Sequence, residues 1–141
     1  MEKIYSKVHS NILLNIIYRK ADMLIQTQSG FDITPEKEFI QVRSLKAHKG
    51  KEYKAHKHKN QERQNDLTQE SIIIISGSIN VEYFDLDDSF LGETKLNSGD
   101  CIVTLRGGHA FKVLEDNTLF YENKNGPYNG LNNDKSFING N

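Results

Sequence analysis

The chain predicts an all-β domain, a sandwich or a barrel. Apolar residues fall in short runs bounded by Gly, Asn, Asp and Ser, not in long helical stripes. About eight or nine such runs follow one another at the even spacing of a β-sandwich or barrel. No alternation of strands with helical stretches appears, which argues against a doubly wound fold.

Residues 12–18 are rich in Ile and Leu and fit either a strand or a short helix. Residues 31–38 contain a turn at Thr34-Pro35. Residues 39–45 alternate and predict a strand, ended by Lys49-Gly50, and residues 53–58 predict the next. Residues 60–68 are polar and read as a loop. Residues 71–76 hold four consecutive isoleucines, as in a strand buried on both faces. Gly77 and Ser78 form a hairpin turn into a strand over 79–84. An acidic turn at 85–89, a strand at 90–96 and a turn at 97–100 come next. Residues 101–105 form a β-branched strand, residues 106–108 a glycine corner, and 110–114 and 118–122 two further strands. From Asn123 the tail is rich in Asn and Gly, with Pro127, Tyr128, Leu131, Phe137 and Ile138 as its apolar anchors.

At 141 residues the chain has the size of one domain. Cys101 is its one cysteine, so no internal disulfide is expected and a reducing, cytoplasmic location fits. No apolar run approaches the roughly 20 residues that cross a bilayer, and the N-terminal stretch reads as mature protein. The net charge of -1 gives no whole-molecule footprint for nucleic acid. The charge is uneven: residues 43–63 are strongly basic and residues 66–100 strongly acidic. The basic stretch reads as a solvated face or as an attractor of anions. Its few aromatics disfavour nucleic-acid binding.

His56 and His58 are separated by one residue, so in an extended segment both imidazoles point to one face. Glu62 follows in the loop and can return a carboxylate to them. Gly107 and Gly108 permit a sharp corner that directs His109 inward. Three imidazoles and a carboxylate suit Mn, Fe, Co, Ni or Zn, with positions left open for substrate. Glu70 competes with Glu62 for the carboxylate role. Arg63, Arg106 and Gln69 are candidate substrate contacts, Arg63 and Arg106 through the guanidinium fork. Glu70, Glu122 and Tyr128 are candidate proton-transfer groups. Tyr53 and Phe111 read as core neighbours of the site.

These residues resemble the two cupin motifs. Gly50, His56, His58, Glu62 and Gly77 match the first; Gly99, Asp100, Gly107 and His109 match the second, with Leu105 where proline is usual. The segments HKHKNQERQ, LRGGHAFKVLED and ENKNGPYNG resemble a small bacterial single-domain cupin group associated with polysaccharide or nucleotide-sugar metabolism. The resemblance implies a jelly-roll barrel, the double-stranded β-helix, over 38–123. An N-terminal extension over 1–37 and an irregular tail over 124–141 complete the chain. It implies a divalent metal on His56, His58, Glu62 and His109, a homodimer, and no nucleic-acid or membrane partner. The implied activity is isomerase-, epimerase- or dioxygenase-like, on a small polar metabolite such as a sugar or nucleotide sugar. The alternatives are a non-catalytic metal- or sugar-binding module and a metal-free structural barrel.

Overall fold

The computed structural model describes residues 1–128 and 130–138, so positions 129 and 139–141 of the expected tail lie outside the described residues. Its elements are mostly strands: β1 (Glu2–Tyr5), β2 (Leu13–Tyr18), β3 (Gly30–Asp32), β4 (Arg43–Leu45) and β5 (Glu70–Ser76). After these come β6 (Ser78–Phe84), β7 (Phe90–Asn97), β8 (Cys101–Thr104), β9 (Gly108–Val113) and β10 (Leu119–Lys124). Among the described residues there are two short helices, α1 (Lys20–Ile25) and α2 (Leu131–Asp134).

The strands form a five-stranded sheet in the order β1-β2-β8-β5-β10, a three-stranded sheet β7-β6-β9, and the pair β3-β4. Every pairing is antiparallel. The two larger sheets pack face to face. Ile17, Ile72, Ile74 and Ile102 from the first meet Ile79, Val81 and Leu96 from the second in one buried cluster. The other face of the five-stranded sheet is also covered. Ile16, Tyr18, Val103 and Leu105 pack there against Ile33, Phe31, Ile40 and Val42.

This layering explains the isoleucine run. Alternate residues of a strand point to opposite faces, so a strand covered on both sides needs apolar residues at successive positions. Ile72 and Ile74 enter the inter-sheet core, and Ile73 packs into the outer cluster. The same logic makes residues 12–18 a strand, since Ile16 and Ile17 serve the two cores in turn. Residues expected as an N-terminal extension therefore supply β1 and β2 of the main sheet.

The expected jelly-roll barrel is not formed. Neither sheet closes: β1 and β10 are the free edges of one, β7 and β9 of the other. The strand expected over 53–58 is absent, and residues 51–69 carry no helix or strand. The cause is local. From Lys49 to Arg63 a basic residue recurs every two to four positions, and there is no apolar face to bury. A strand there would align like charges and gain no burial to offset the conformational entropy. The strand expected over 39–45 shortens to Arg43–Leu45, because its pairing partner β3 is three residues long.

Candidate functional site

The site begins at a corner only glycine fits. Gly107 has φ +77, and a Cβ there would lie 2.5 Å from the Phe84 carbonyl oxygen. This turn launches β9 in a fixed register, with His109 opposite Tyr83 and Phe111 opposite Val81. Val81 is core, so His109 and Phe111 share the face turned toward the five-stranded sheet.

Across the gap, Glu70 opens β5 on the parity of Ile72 and Ile74. Its register partners are Thr104 on β8 and Lys124 on β10, which places the three in one row on the inner face. Glu70 Oε1 lies 3.0 Å from His109 Nε2, and the Glu70 side chain is only 7% exposed. The contact is at ion-pair distance but is not aligned as a hydrogen bond, and among the described residues no other donor reaches the buried Oε1. Burial alone pushes the Glu70 carboxyl up. The adjacent His109, with Lys135 and Lys124, outweighs burial and holds it below its ordinary 4.5. Glu70 is therefore a carboxylate at neutral pH, and His109 is the nearest donor to its buried oxygen.

The pair sits in a cavity of about 840 Å³. Thr104 and Phe111 line it beside Glu70 and His109. Glu82, Phe84, Asp88 and Phe90 contribute another part of the wall, and residues 134–138 the rest. Phe84 and Phe90 meet edge to face, with centroids 5.9 Å apart. Phe111 on β9 and Phe120 on β10 touch at 5.7 Å and bridge the two sheets. Lys124 Nζ donates to Asp134 Oδ2 at 2.6 Å and lies 4.6 Å from the Tyr128 ring centroid, tying the C-terminal segment to β10.

The structure separates the four expected metal ligands. His109 is in the cavity, whereas His56, His58 and Glu62 are exposed on the irregular 46–69 segment. His56 and His58 do lie side by side, with ring centroids 5.5 Å apart. His56 Nδ1 is engaged with the Lys54 carbonyl at 2.8 Å. Among the described residues no group of three or more His, Cys, Asp or Glu side chains is arranged to hold a metal ion. The expected Mn, Fe, Co, Ni or Zn centre is thereby overturned, and with it the metal-dependent isomerase, epimerase or dioxygenase reading. The physical reason is that strand parity aims imidazoles into a cavity only when the strand belongs to a sheet facing that cavity.

The other candidate residues have varied surroundings. Gln69 is fully buried: its Nε2 donates to Glu38 Oε2 at 2.6 Å, and its Oε1 accepts from the Ile40 amide at 2.9 Å. Arg106 Nη1 donates to Glu38 Oε1 at 3.1 Å. Glu38 thus ties residues 38–40 to both. Arg63 and Glu122 are exposed, and Tyr128 is exposed against Lys124. Cys101 is buried, and burial pushes its thiol up to about 12, so it packs and is not poised to react. Nothing in the sequence singles out Glu82, Phe84, Asp88, Phe90 or Lys135. No spacing signal marks them, because the fold alone brings them to one cavity.

No family model, curated protein or solved structure matches the chain. The resemblance to cupins rests on its motif residues alone. Among the described residues, no helix is long and apolar enough to cross a membrane.

Proposed function

We propose that this protein is a metal-free binding module for a small, hydroxyl-rich molecule such as a sugar, held in the cavity at Glu70 and His109. The observation that carries this reading is the buried Glu70 oxygen without an aligned donor. An unsatisfied buried acceptor costs about 1–3 kcal/mol. His109 Nε2 at 3.0 Å offsets part of that cost, and a ligand hydroxyl reduces what remains. Thr104 Oγ1 donates to Asn15 Oδ1 at 2.9 Å, which leaves its lone pairs as a further acceptor at the cavity wall. Phe84, Phe90 and Phe111 supply apolar surface, and a few convergent polar groups in an apolar wall are the usual make-up of a small-molecule site.

Thermal unfolding with a panel of monosaccharides tests the reading. A sugar that binds raises the midpoint, by the linkage of binding to stability. The rise is expected to persist in a chelator and to vanish in His109→Ala. A panel in which no sugar raises the midpoint, or a rise that the chelator abolishes, contradicts it.

A further inference from the structure

We infer that the cavity selects a hydroxylated ligand bearing a protonated amine, an amino sugar in preference to a neutral one. This rests on the sugar-binding reading above and adds the charge of the ligand. Among the described residues four carboxylates line the cavity, those of Glu70, Glu82, Asp88 and Asp134, against one lysine, Lys135. Asp134 is neutralised by Lys124 at 2.6 Å. Glu70 is partly compensated by His109 at 3.0 Å. No ion pair or side-chain hydrogen bond engages the carboxylates of Glu82 and Asp88 among the described residues, and Asp88 is held at φ +66 by the turn that ends β6.

Surface carboxylates alone prove nothing. Here they share a cavity with Glu70, which is more than nine-tenths buried and whose Oε1 has no aligned donor. A neutral sugar supplies donors to these oxygens but leaves the excess negative charge in place. A protonated amine supplies three donors and a compensating charge. A cleft with low-dielectric walls strengthens that attraction over its value in open water. Phe84 and Phe90 line the same cavity, and aromatic rings beside a ligand favour a cation in the same sense.

Isothermal titration at neutral pH with glucosamine, glucose and N-acetylglucosamine decides the matter. Glucosamine is expected to bind about tenfold tighter than the other two, a difference of about 1.4 kcal/mol. The double variant Glu82→Gln, Asp88→Asn is expected to erase that margin, weakening glucosamine about tenfold more than it weakens glucose. Glu70→Gln is expected to weaken all three, with its fold checked by circular dichroism. Because the double variant alters only half-exposed or exposed residues, it keeps the test open if Glu70→Gln fails to fold. Equal or tighter binding of glucose overturns the amine preference and leaves the sugar-binding reading standing. A margin that survives the double variant also overturns it. Absence of binding by all three sugars overturns both readings.

Discussion

Asp85 sits in the turn after β6, yet it is 1% exposed. Its Oδ1 accepts from Ser6 Oγ at 2.5 Å and the Leu86 amide at 2.8 Å. Its Oδ2 accepts from the amides of Lys7 at 2.6 Å and Val8 at 3.2 Å. Burial pushes this carboxyl up, but the donors outweigh it and bring it from 3.8 to about 2. A depressed folded-state value means that the charged form stabilises the fold. That contribution is complete above the ordinary 3.8 and is lost as pH falls toward 2. Urea unfolding across this window is expected to show wild type losing stability more steeply than Asp85→Asn. Parallel profiles would refute the role. At Gly107 the reasoning is steric. An alanine there must hold φ +77 and displace the Phe84 carbonyl, at a cost of about 1–3 kcal/mol. Gly107→Ala is therefore expected to lower the unfolding midpoint and to weaken sugar binding together, since the turn sets His109. A variant of wild-type stability and affinity contradicts that coupling.

The element that diverges most from its sequence is the segment over 46–69. Ladders elsewhere were legible because each strand carries its own burial pattern, as in Ile72–Ile74 and residues 16–17 of β2. The spacing of His56 and His58 is also consistent with a strand, but parity says nothing about whether a pairing partner exists. Here the lysines deny the segment a face to bury, and the two imidazoles remain on the outside. His109 was legible through its glycine corner. Glu70 was legible as a rival to Glu62 and as a proton-transfer candidate, and the aromatic wall was not legible at all, because Phe84 and Phe90 read as ordinary strand residues. It follows that His56→Ala with His58→Ala changes stability by no more than about 0.5 kcal/mol, as for exposed sites whose contacts are confined to their own segment. Denaturant unfolding and sugar titration of this double variant are both expected to match wild type. A loss of several-fold in affinity would return these histidines to the site.

Across the molecule, stability is concentrated where the five-stranded sheet is covered on both sides. Ile102 is 1% exposed in the inter-sheet core, and Ile75 is 47% exposed one strand away. Ile102→Ala is expected to cost about 2–5 kcal/mol, through lost transfer energy and a cavity. Ile75→Ala is expected to cost under about 1 kcal/mol, as for a largely exposed site. Equal losses in chemical denaturation would mean that the two-sided packing is wrong. The three-stranded sheet meets the other sheet at one end through Asp85 and along one side through Phe111 and Phe120. The cavity with Glu70 and His109 lies between the sheets, beside both of these junctions: Phe111 and Phe84, the residue before Asp85, are in its wall.

That placement can be read directly from the imidazole rings. Heteronuclear NMR of the histidine side chains during titration with glucosamine distinguishes His109 from the other four. The expected result is a saturable shift of the His109 ring resonances, with His56 and His58 unmoved. Saturable shifts at His56 and His58, with His109 unchanged, would contradict a cavity site at Glu70 and His109.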